Sequence, residues 1–234
     1  MNLKRDHKNR QSGNILFLIL VAIALLGIIT AIISNYSSEQ KETLDRQTID
    51  AQVSVLFNHT ATLGVAVMNL LIQGVEPNNV YHVLSTLKPG DAGFEDSPHQ
   101  YKLYHPLGGG VSYTASTSNT ASEAIATNFN INKGSIIRGV GKSDNAVNPV
   151  DTVGDVLFTA RITNSSYCAA INKKITGSTS IPEMSDAAFN SLFNDGSTVV
   201  IDTADCADCV NNSRFCVRNS SDSQWGFYSA LFPG

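Results

Sequence analysis

Proline is missing from the first 76 residues, and charge is scarce throughout, at 15% of 234 residues. Without proline, nothing in that first third forces a helix to break. Basic residues are concentrated at the very start. Lys4, Arg5, Lys8 and Arg10 stand against Asp6 within 13 residues, leaving 12 basic and 19 acidic side chains for the rest. An acidic body lacks the basic footprint that phosphate backbones require, so nucleic acid is excluded as the main partner. Catalytic signatures are also missing. No G-x-S-x-G elbow occurs, and no two of His7, His59, His82, His99 and His105 are spaced H-x-x-x-H. Arg138-Gly139-Val140-Gly141-Lys142-Ser143 resembles a phosphate loop only in its end, because Ile136 stands where the first glycine is needed. It reads as a turn, as does Gly108-Gly109-Gly110. The chain is therefore not expected to be an enzyme, and no cofactor is implied.

What the sequence does have is one long apolar run. From Ile15 to Ile33 the only polar side chain is Thr30. At ~1.5 Å per residue a helix of that length matches a bilayer core of about 30 Å. It exceeds the apolar stretch of a cleaved secretory signal, and no small-residue cleavage pattern follows it. Basic residues before the run and none just after it place the N-terminus in the cytoplasm and the body outside. Apolar residues then return at Ile49, Val53, Leu56, Leu63, Val67 and Leu70, with Thr60 in the gap. Spacings of 3, 4 and 7 mark one face of a helix. One helix is predicted from Asn14 to about Gln73, apolar all round at first and then amphipathic, with Pro77-Asn78-Asn79 as its stop.

A basic leader, then Gly13, then an apolar helix that turns amphipathic resembles the N-terminus of type IV pilins and of type II secretion pseudopilins. That resemblance implies cleavage at Gly13–Asn14 by a prepilin peptidase and assembly of subunits through their N-terminal helices. Two positions depart from the family. Asn14 replaces the usual Phe or Met, and Leu18 replaces the usual Glu at the fifth mature position. That glutamate would neutralise a neighbour's terminal amine in the apolar filament core, where an unpaired charge is costly. With Leu18, the resemblance implies a minor subunit at a filament tip. The alternative is a single-pass anchored binding domain that never assembles. Either way the bacterial inner membrane is the implied location.

The body is expected to be α+β, a long N-terminal helix packed on a mainly antiparallel sheet. The segments are a leader (1–13), the helix (14–75, membrane-spanning over 14–33) and an extracytoplasmic head (76–234) with a cysteine-rich C-terminal region. Strands are predicted at Tyr101–Leu107, Val111–Ala115, Ser135–Val140, Asp155–Thr163, Ser197–Asp202, Arg214–Arg218 and Gln224–Phe232. Ser112–Thr127 reads as a loop. Helices are predicted near Ser166–Lys174 and Ser185–Asn194, the second capped by Ser185. The aromatics of the last strand read as core.

Cys168, Cys206, Cys209 and Cys216 form an even set, which outside the cytoplasm favours two disulfides. Two pairings stand nearly level, Cys209–Cys216 with Cys168–Cys206 and Cys168–Cys209 with Cys206–Cys216. Cys206–Cys209 ranks last, because its loop is so tight. A zinc site lacks its second C-x-x-C, and a redox role lacks a helix after Cys206. Asp91, Glu95 and Asp96 could suit calcium, which some pseudopilins hold in a head loop, but a solvated acidic loop is the simpler reading. His99 and His105 are expected at the surface or rim.

Overall fold

The computed structural model describes residues 12–76, 88–112, 126–141, 154–195 and 197–232. Within the first helix, side chains are described at 17, 19–26 and from 46 onward. The chain divides into two compact units, Met1–Thr48 and Ile49–Gly234. Helix α1 (Ser12–Ile72) begins in the first and ends in the second. Its stop lies earlier than Pro77, which falls outside the described residues. Gly74, at φ +86°, takes the left-handed conformation. The Gly74 amide then donates to the Leu71 carbonyl and the Val75 amide to the Leu70 carbonyl. This glycine closure satisfies carbonyls that a helix end otherwise leaves open, and it buries Val75 beside Leu70.

The second unit is α+β. Six strands form one mixed sheet: β1 (Ala126–Ile137), β2 (Asp155–Ile162), β3 (Glu183–Met184), β4 (Val200–Ile201), β5 (Arg214–Asn219) and β6 (Trp225–Phe232), in the order β3-β5-β6-β2-β1-β4. The four central strands pair antiparallel. The two-residue edge strands β3 and β4 pair parallel, so the expected antiparallel character holds only for the centre.

Both faces of this sheet are covered. Val156, Phe158, Ala160 and Ile162 of β2 point to one core, with Phe227 and Leu231 of β6. That core receives Val53, Leu56, Leu63, Val67 and Leu70 of α1, and Tyr167, Cys168 and Ile171 of α2 (Ser165–Thr176). The opposite core gathers Leu157, Phe215, Val217 and Tyr228 under α3 (Asp186–Asn190) and the π-helical turn that continues it, Ser191–Asp195. Phe193 of that turn lies on Gly226 of β6, where a Cβ would come within 2.6 Å of the ring.

Local chemistry explains most boundaries. Asn164 caps α2 by accepting from the Tyr167 amide, and Gly177 closes it at φ +82°. Ser185 caps α3 by accepting from the Ala188 amide, as its sequence position predicts. Two readings are corrected. Tyr101–Leu107 is a helical turn at His99–Tyr101 followed by turns, not a strand. β1 starts at Ala126, inside the segment read as loop, and its N-terminal half was not anticipated. Of the predicted strand Val111–Ala115, residues 113–115 lie outside the described residues, and Val111 and Ser112 are irregular.

Candidate interaction surfaces on the long helix and the 88–112 loop

Gly13 and Asn14, the residues of the expected cleavage, fall in the first turn of α1. Their side chains and that of Leu18 are outside the described residues. Beyond them, Phe17, Ile23 and Leu26 are 68%, 65% and 63% exposed. Val53, Leu63, Val67 and Leu70 are fully buried, and Leu56 nearly so. Ile49 packs on the same core while partly exposed. These six positions, named from their spacing as the assembly face, are the head's own core. Leucine and valine at helical spacing bury against the nearest apolar surface, and here that is the sheet. Thr60 fits the same face because its hydroxyl donates to the Phe57 carbonyl at 2.9 Å.

The other side of the helix was not singled out by the spacing. Val65, Met68 and Ile72 stand at steps of 3 and 4 on one side and are 62%, 45% and 79% exposed. Their signal was visible as a second, shorter apolar stripe. Among the described residues, Arg46–Ile72 is also long and apolar enough, by length and composition, to cross a membrane. Its buried face shows where part of that apolar character goes.

The 88–112 loop is built around a buried lysine. Lys102 is fully buried, and its ammonium donates to the carbonyls of Gly93 and Phe94, each at 2.7 Å, and to that of Asp96. Backbone carbonyls around a cation are what a calcium loop supplies, but here the cation is covalently part of the chain. Asp91, Glu95 and Asp96 do not converge on a site. Among the described residues, no three His, Cys, Asp or Glu side chains could hold a metal. Gly108 and Gly109 run so close to the Lys102 and Leu103 backbone that a Cβ would approach within 2.3 and 2.6 Å of carbonyl oxygens. That is the reason for the glycine run.

His105 is buried, not at the rim. Its Nδ1 accepts from the Leu107 amide at 3.1 Å, and its Nε2 lies 3.6 Å from Glu95. Its ring stacks on His99 with centroids 4.1 Å apart. Phe94, Glu95, Tyr104, His105, Pro106 and Leu107 line an open groove of about 510 Å³. Sequence reading missed the groove, because it depends on Lys102 folding the segment into turns.

The disulfides differ from both favoured pairings. Cys168 of α2 bonds Cys216 of β5, and Cys206 bonds Cys209. Cys168 faces the sheet one layer above Cys216, while Cys206 and Cys209 face the opposite core. The sheet therefore separates the two pairs. Asn172 reinforces the first pair. Its side-chain amide donates to the Cys216 carbonyl at 2.7 Å, and its carbonyl accepts from the Cys216 amide at 2.8 Å. It pairs β5 as a neighbouring strand would. On the other face, the Tyr228 hydroxyl donates to the Cys209 and Asn212 carbonyls, and burial pushes its phenol far above the ordinary range. No family model, curated protein or solved structure matches this chain.

Proposed function

We propose that the protein is a non-enzymatic, pilin-like minor subunit, held in a bacterial inner membrane by residues 14–33. The N-terminus lies in the cytoplasm and the head outside. A prepilin peptidase cuts at Gly13–Asn14, and the exposed apolar part of the helix then docks against helices of other pilin-like subunits. Leu18, in place of a glutamate, suits a position at a filament end.

One observation carries this reading. Helix α1 is continuous from Ser12 to Ile72, and its second half is built into the head core while the described apolar side chains of its first half are exposed. An exposed apolar helix calls for lipid or other helices around it. N-terminal mass spectrometry of the chain from peptidase-competent cells tests the reading. A mature start at Asn14 supports it, and an intact Met1 contradicts it.

The second reading is a single-pass anchored domain that binds a ligand and does not assemble. The groove between Phe94 and Leu107, held by Lys102, favours it. An intact Met1 together with membrane retention would select this second reading.

A further inference from the structure

Between Ala51 and Gly74 helix α1 carries one titratable side chain, His59. Its ring stacks against Phe129 of β1, with centroids 5.5 Å apart, and meets Phe158 of β2 edge-on at 5.8 Å. Its Nε2 is buried and has no hydrogen-bond partner among the described residues. The described charged groups on the packed strands lie elsewhere. Asp155 and Arg161 of β2 fall on the alternate positions, toward the opposite face. Asp155 accepts from the Ile137 amide, and Arg161 reaches Asn194 and Gln224. Lys133 is the charged residue of β1, and its side chain is outside the described residues. On α1 itself Asp50 and Arg46 precede the ring by about two and a half turns or more.

A neutral imidazole suits this place, with one nitrogen unpaired, Phe129 stacked on the ring and Phe158 edge-on to it. An imidazolium does not. It carries two N–H donors and a charge, and the buried Nε2–H would find no acceptor among the described residues. Burial already holds the His59 imidazole below its ordinary basicity.

We infer that His59 is an acid-sensitive latch between α1 and the sheet, seated when neutral and loosening the helix from β1 and β2 when protonated. The sign follows from linkage. The folded group binds its proton less readily than the unfolded one, whose ordinary value is about 6.5. The packing is therefore at full strength above that value and weakens as pH falls below it. Loosening uncovers Phe129 and Phe158, so acid would expose apolar head surface. This inference stands apart from the pilin-like reading, since it concerns only the head's own packing.

Hydrogen exchange of the full chain in mild detergent, followed in peptides covering 49–72 at pH 7.5 and 5.5, tests it. After correction for intrinsic rates, the opening constant of wild type is expected to rise up to about tenfold, since each pH unit below the unfolded value allows at most a tenfold change. His59→Phe keeps an aromatic ring and is expected to remove the rise. His59→Gln supplies a second neutral side chain if the phenyl does not fit. Equal protection of wild type at both pH values would overturn the latch. So would the same acid-induced loss in the neutral variant that folds. NMR titration of the His59 ring gives an independent reading, and titration at or above about 6.5 in the folded chain would also overturn it.

Discussion

The two halves of α1 are both rich in leucine, isoleucine and valine, yet among the described residues the α1 side chains of the head core all come from the second. Phe17 and Ile23 are 68% and 65% exposed, whereas Val53 and Leu63 are fully buried. The difference is periodicity. Residues 15–33 are apolar on every side and offer no preferred face. From Ile49 onward apolar residues recur at steps of 3, 4 and 7 on one face, while the other face mixes polar residues with Val65, Met68 and Ile72. One face can then bury while the other stays wet. Composition alone would treat the halves alike.

Substitution separates the halves most strongly. Leu63→Ala should destabilise the head by about 2–5 kcal/mol, because it leaves a cavity in a packed core. Ile23→Ala should change head stability by no more than about 0.5 kcal/mol. Urea unfolding followed by Trp225 fluorescence compares the two, and equal losses would erase the distinction.

The disulfides sharpen the account of the second half. Cys168–Cys216 belongs to the same core as α1 and spans 48 residues, against 3 for Cys206–Cys209. Chain entropy gives about 4 kcal/mol for the longer closure and about 2 kcal/mol for the shorter. Paired alanine substitutions should rank in that order in thermal melts. Asn172→Ala comes next, at about 1–3 kcal/mol, because the Cys216 amide and carbonyl lose their side-chain partner. The smallest effect lies on the opposite face. Hydrogen bonds from Ser221 and Asn219 hold the Asp186 carboxyl below its ordinary value of 3.8. The stability it contributes is present above that value and is lost as pH falls through the folded one. The gap between wild type and Asp186→Asn should therefore narrow in melts taken from pH 5 down to pH 3.

Much of the head was legible. β2, β5, β6 and α2 follow from β-branched runs and helical spacing, and Ser185 announced its own cap. The misreadings share a cause, which is contacts that apolar periodicity and cysteine spacing do not encode. Tyr101, Leu103, His105 and Leu107 alternate as a strand would. Lys102 overrides that pattern, because its ammonium collects three carbonyls and folds the segment into turns. The cysteine pairing depends on which face of the sheet each cysteine meets, and spacing does not carry that. The apolar positions of α1 were read correctly as one face. Their partner is the sheet of the same chain, which buries Val53 to Leu70 of that face and leaves Ile49 partly exposed.

The division of α1 into a core half and an exposed apolar stretch is tested most directly by a triple variant of that stretch, Ile19→Asp, Ile23→Asp and Leu26→Asp. Each aspartate costs about 2.5–3.5 kcal/mol in a membrane helix, so the three together cost roughly 8–10 kcal/mol, more than the roughly 4–8 kcal/mol that the 14 Ile, Leu, Val and Phe side chains of residues 15–33 contribute. The account predicts that the variant leaves the membrane fraction while its head melts at the wild-type temperature. A lowered melting temperature, or unchanged retention in the membrane, would contradict it.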